Sequence, residues 1–137
     1  MLRPRHSAFQ QIDEVMKRRK GMTSKDTEPA GEKLVARPFS YAELVDYQEG
    51  SIVSRAIIDK PVGTITVFAF DRGQKLSEHT APYDALVEVI EGTGTITIEG
   101  GDYQVRTGQQ IIMPENKPHA VEARERFKMV LVMIRAK

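Results

Sequence analysis

The sequence predicts an all-β sandwich or barrel behind a short N-terminal helical segment. Three observations carry this. From Ser51 onward, short apolar and β-branched runs are separated by Gly and Pro turns. Thr95-Ile-Thr-Ile-Glu99 alternates with a period of two. The chain has 137 residues, enough for one domain with a real core and not comfortably enough for two.

Residues 7–20 are predicted to be a helix. Ser7 and Gln10 have capping-box spacing, and Phe9, Ile12 and Met16 recur at helical intervals. Lys17-Arg18-Arg19-Lys20 followed by Gly21 suits the negative end of a helix dipole and a glycine stop. Residues 22–33 hold little to bury and are predicted to be a flexible linker. Ser40 to Tyr47 reads as a short helix, because Ser40 and Glu43 again have capping-box spacing and Leu44 and Val45 need burial. This divides the chain into a basic N-terminal part, 1–37, and a β-rich domain, 38–137.

Strands are expected at Ser51–Ile58, Gly63–Phe70, Ala85–Ile90 and Thr95–Glu99. Gly100-Gly101 is the expected hairpin turn. Asp102–Arg106, Gln110–Met113, His119–Ala123 and Phe127–Ile134 complete the set. Alternation assigns the faces. Val87, Val89, Ile96, Ile98, Val121, Phe127, Met129 and Met133 form the expected inward set, and the methionines could adapt to a flexible ligand. In the last strand Phe127, Met129, Leu131 and Met133 form one row and Val130, Val132 and Ile134 the other. A strand apolar on both faces is normally covered on both. Its outer cover would be a partner subunit or the N-terminal segment, and from this a homodimer is expected.

Composition excludes much. There are no cysteines, so a disulfide framework, an iron–sulfur cluster and a thiol nucleophile are ruled out. The histidines are His6, His79 and His119, so a metal site must combine few imidazoles with oxygen ligands. No nucleophile elbow, P-loop or complete dinucleotide fingerprint is present. Residues 1–37 carry nine Lys/Arg against five Asp/Glu, and the rest eleven against fourteen. A nucleic-acid role would therefore rest on the N-terminal part alone, and without a helix-turn-helix none is expected. No run of about 18 apolar residues occurs, so no membrane span is expected. The basic start Met-Leu-Arg-Pro-Arg has no apolar core behind it, and the cytoplasm is the expected location.

Two stretches carry the chemistry. One runs Gly73-Gln-Lys-Leu-Ser-Glu-His79-Thr-Ala81-Pro-Tyr-Asp84-Ala85 and on to Gly92. The other runs Gly108-Gln-Gln-Ile-Ile-Met-Pro114-Glu-Asn116-Lys-Pro-His119 and on to Ala123. Together they resemble the two motifs of the cupin superfamily, over roughly residues 50–135. Gly73, His79 and Gly92 fall on the first motif, and Gly108, Pro114 and His119 on the second. Asn116 stands where the motif has a turn glycine, and asparagine tolerates positive φ. The resemblance implies a cupin-like double-stranded β-helix, that is, a jelly-roll barrel. It also implies a metal held by two histidines and a glutamate of the first motif and a histidine of the second.

The departures bear on function. The second histidine position is Ala81, the glutamate position is Ala85 or Leu86, and the closing asparagine is Ala123. Only His79 and His119 remain as metal candidates, an incomplete pair for a divalent transition metal, which usually takes three or more protein ligands. Asp84 adjoins the lost carboxylate and would become a third ligand only if a bulge shifted the register. Glu78 should face away from His79. Met129, Met133 and Tyr83 join the two histidines as candidate ligand-binding residues. Tyr103 could also bring a hydroxyl to a barrel mouth.

Three functions compete. The first is a small-molecule-binding barrel without its metal centre. The second is a metal-dependent oxygenase, isomerase or lyase that uses open coordination positions. The third is a ligand-sensing regulatory module that touches nucleic acid through residues 17–20. One barrel hosts many activities, so the choice among the three rests on the site residues and not on the fold.

Overall fold

The computed structural model describes residues 33–135. The helix expected over 7–20, the basic run 17–20 and His6 lie outside the described residues. Within them are nine strands: β1 (Ile52–Lys60), β2 (Gly63–Phe70), β3 (Lys75–His79), β4 (Tyr83–Glu91), β5 (Thr93–Ile98), β6 (Gly101–Arg106), β7 (Gln110–Met113), β8 (His119–Glu122) and β9 (Phe127–Arg135). They form a five-stranded sheet in the order β1-β2-β9-β4-β7 and a four-stranded sheet in the order β3-β8-β5-β6. All pairings within both sheets are antiparallel.

The main core lies between the sheets. Phe68, Val87, Val89, Met129, Leu131 and Met133 come from the larger sheet, and Leu76, Ile96, Val105 and Val121 from the smaller. The expected inward set is found there, with Ile98 packed against its margin. Strand β3 is absent from the expected set. Its sequence Lys-Leu-Ser-Glu-His buries only Leu76 and His79, too sparse a pattern to read as a strand. Pairing with β8 holds it in the sheet.

The β5–β6 turn is one residue earlier than expected. Glu99 and Gly100 are its central residues, with φ of 51° and 84°, and Ile98 pairs with Gly101. Positive φ at both central positions is the type I′ pattern, whose twist matches the right-handed twist of the flanking strands.

One end of the barrel is plugged by aromatic rings. Phe127 and Phe70 are fully buried and stacked, centroids 4.8 Å apart and planes 12° apart. Gly94 leaves room for them: a Cβ there would lie 2.5 Å from the Phe127 ring.

The Ser40–Tyr47 helix is not formed. The structure has a single 3₁₀ turn, Tyr41–Glu43, and Ser40 makes no side-chain capping bond. The segment instead crosses the outer face of the larger sheet as a strap. Val45 is buried there with Val53, Ile57, Val67, Ala69 and Val130, and Leu34, Tyr41, Leu44 and Tyr47 pack alongside. Burying these apolar side chains on a flat sheet outweighs one or two turns of helix.

Polar groups staple the strap down. The Tyr47 hydroxyl donates to Glu91 Oε2 at 2.6 Å, and the buried Lys128 donates to the Ala42 carbonyl at 2.8 Å. The Lys128 ammonium and the Arg126 guanidinium sit 5.1 and 5.2 Å from the Tyr47 ring centroid. Burial and the Glu91 carboxylate push the Tyr47 hydroxyl pKa up. Asp71 is held at about 2 by its 2.7 Å bond from Arg126 and by the Gly50 N–H.

Part of the outer apolar row of β9 is therefore covered by the chain itself. This weakens the β9 argument for a homodimer, because Val130 and Val132 pack in the cluster that the strap closes.

Candidate functional site

His79 ends β3 and His119 opens β8, and the two are cross-strand partners. Adjacent strands bring their side chains together on one face. His119 shares that face with Val121, a core residue, so both rings point between the sheets. They are 6% and 1% exposed. The rings meet edge to face, centroids 4.7 Å apart and planes at 74°.

Each ring is oriented by a carbonyl two residues before it. His79 Nδ1 bonds to the Ser77 carbonyl, and His119 Nδ1 to the Lys117 carbonyl at 3.0 Å. A carbonyl can only accept, so in both neutral rings Nδ1 carries the proton and Nε2 carries a bare lone pair. Among the described residues no group donates to either Nε2, and both atoms are buried. Leaving a buried acceptor unpaired costs about 1–3 kcal/mol. Burial also disfavours charge. It pushes the His79 pKa down to about 4, helped by the neighbouring His119, and moves His119 in the same direction.

The pair lies at the end of the barrel away from the aromatic plug. On β5, Gly94 faces Phe127, whereas Ile98, four residues on, pairs with His119. On the larger sheet the matching end carries the row Thr64–Met133–Ala85–Met113. Ala81 and Ala85, each 2% exposed, are the small buried residues of this end. The Asn116 N–H donates to the Ala81 carbonyl at 2.7 Å, which ties the loop after β3 to the loop before β8. Asn116 has a φ of 65°, as expected at the turn-glycine position.

The other candidates divide. Met133 lies in the Ala85 row, and Tyr83 packs half-buried at the same end. Met129 sits deeper, in the row of Phe68 and Val89, as core. Tyr103 is largely exposed, 48%. Asp84 as a third metal ligand is corrected: β4 keeps its alternation there, Ala85 faces inward, and Asp84 is exposed and accepts the Glu115 N–H at 3.0 Å. Glu78 is exposed.

Ser54 is a buried polar group outside the expected site residues: its Oγ has no partner among the described residues and lies on the interior row of β1 beside Phe68. Alternation from the adjacent Val53, which faces the strap, would have placed it there.

Among the described residues no group of three His, Cys, Asp or Glu side chains could hold a metal ion. Two imidazole nitrogens flanked by alanines do not fit the divalent centre that the motifs imply.

Two antiparallel sheets enclosing one core, plugged at one end and carrying paired histidines at the other, define a small double-stranded β-helix barrel. A family profile described as "Cupin domain" matches residues 66–135, and the chain belongs to that family. The fold is similar to a conserved protein of unknown function from Streptococcus pyogenes: 35% identity, covering 74% of this chain and 90% of that one, TM-score 0.72. It is also similar to a cupin 2 conserved barrel domain protein from Leptotrichia buccalis, at 43% identity and TM-score 0.69, over 71% of this chain and 47% of that longer one. A cupin superfamily protein from Desulfitobacterium hafniense matches at 26% identity and TM-score 0.70, over 74% of this chain and 93% of that one. A search of curated proteins finds no match.

No helix among the described residues is long and apolar enough to cross a membrane.

Proposed function

We propose that this cupin barrel binds a small molecule at the His79–His119 end and does so without a divalent metal. The observation that carries the reading is the pair of buried, proton-free Nε2 atoms with no partner among the described residues. The donor set supports the metal-free half, since Ala81 and Ala85 stand where further ligands would be needed. Two neutral imidazoles can accept hydrogen bonds from a ligand or take a proton from it.

Metal analysis of protein purified without chelator tests this. The expected content is below about a tenth of an equivalent of zinc, iron, nickel or manganese, unchanged in His79→Ala and His119→Ala. Near-stoichiometric metal in the parent chain, lost in both variants, would favour the metal-enzyme reading instead.

Self-association fits the part of the outer face that the strap leaves bare. In the cross-strand row Ile58–Ile65–Val132–Leu86–Ile112, Ile65 and Val132 pack against the strap cluster, and the two ends, Ile58 and Ile112, are exposed. Ile112 is 61% exposed, and Ile134 in the next row 60%. Exposed apolar surface of this kind is commonly an interface. Sedimentation at micromolar concentration should give a dimer mass, and Ile112→Lys with Ile134→Lys should give a monomer. A monomer mass for the parent chain rules the dimer out.

A further inference from the structure

Resting on the pocket reading above, we infer that the ligand is an uncharged molecule whose N–H or O–H groups are donated to His79 Nε2 and His119 Nε2, with a primary carboxamide on a short apolar body as the best match. The Nδ1 bonds to Ser77 and Lys117 fix both rings in the same tautomer, so the histidine pair presents two acceptors and no imidazole donor.

An anion would meet two lone pairs. The buried charged residues among the described ones are Asp71 and Lys128 alone. Lys128 is bonded to the Ala42 carbonyl under the strap, so no buried cation awaits a carboxylate or phosphate. A cation would lack a counter-charge, because Asp71 is bonded to Arg126 and to the Gly50 N–H. A carboxamide carries two N–H donors on one nitrogen and can serve two neighbouring acceptors at once. Ala85 and Met133 offer its alkyl part an apolar wall, and Thr64 adds a hydroxyl in the same cross-strand row.

The experiment uses the full chain with ¹⁵N-labelled histidine and three probes at pH 7.5: isobutyramide, isobutyrate and zinc(II). His79→Phe and His119→Phe assign the ring signals. The amide should move both Nε2 signals and leave both Nδ1 signals in place. Its affinity should be at least about tenfold better than that of the shape-matched carboxylate, and lost in His119→Phe. Comparing probes on the unaltered chain does not depend on the variants folding. Equal or tighter binding of isobutyrate, or movement of both Nε2 signals by stoichiometric zinc(II) and not by the amide, overturns the ligand class and leaves a working pocket. If no probe moves either signal, the pocket reading falls, and the inference with it.

Discussion

Phe127→Ala is expected to lower stability by about 3–5 kcal/mol, a large share of what a domain of this size has. Phe127 is fully buried, stacks on Phe70 and closes the barrel end against Gly94. Its removal leaves a cavity that two packed sheets cannot collapse to fill. Urea unfolding should show a lower midpoint at an unchanged slope. Gly94→Ala should also destabilise, by about 1–3 kcal/mol, through overpacking against the same ring. The two changes should not add, because the methyl group introduced by Gly94→Ala enters space that Phe127→Ala vacates. Strict additivity would show that the ring and the glycine do not share that space.

Stability should fall by about 3 kcal/mol between pH 6.5 and pH 4 through His79 alone. In the unfolded chain this histidine titrates near its ordinary 6.5, and in the folded barrel at about 4. Between these values the unfolded state binds more protons, so acid favours unfolding. The stabilisation is complete above pH 6.5 and is lost as the pH falls to about 4. His119 is shifted in the same direction and adds to the effect. His79→Leu should flatten this part of the profile, because it removes the titrating ring and its unpaired Nε2. The check is a set of denaturant curves from pH 7.5 to 4. An unaltered slope in His79→Leu would mean that other groups control the acid limb.

Much of the fold is legible because its strands alternate. Thr95 to Ile98 and the inward residues of β9 lie as period two requires. The histidine pair is legible as two motif positions, His79 and His119. Its chemistry is not. The tautomers depend on the carbonyls of Ser77 and Lys117, and carbonyls have no side-chain signature. The strap reads as a helix because capping-box spacing at Ser40 and Glu43 is a local signal. The sheet surface that wins Leu44, Val45 and Tyr47 is assembled from strands far away in sequence. Asp84 is readable in principle, since unbroken alternation in β4 turns it outward.

The position of β9 has a consequence for how the barrel is made. It is the strand furthest along the chain, yet it is the centre of the five-stranded sheet, hydrogen-bonded to β2 on one side and β4 on the other. Until residues 127–135 leave the ribosome, β1 and β2 are a hairpin with no neighbour, and β4 lacks its longest pairing. Isolated hairpins are marginal in water. The nascent chain must therefore hold the β1–β2 hairpin and the β4–β7 pair apart until β9 joins them into one sheet. Gly63 then meets Ile134 across most of the barrel's length in sequence. Non-local closure of this kind is slow, and so this stage of synthesis is where the barrel is most open to aggregation and to capture by chaperones.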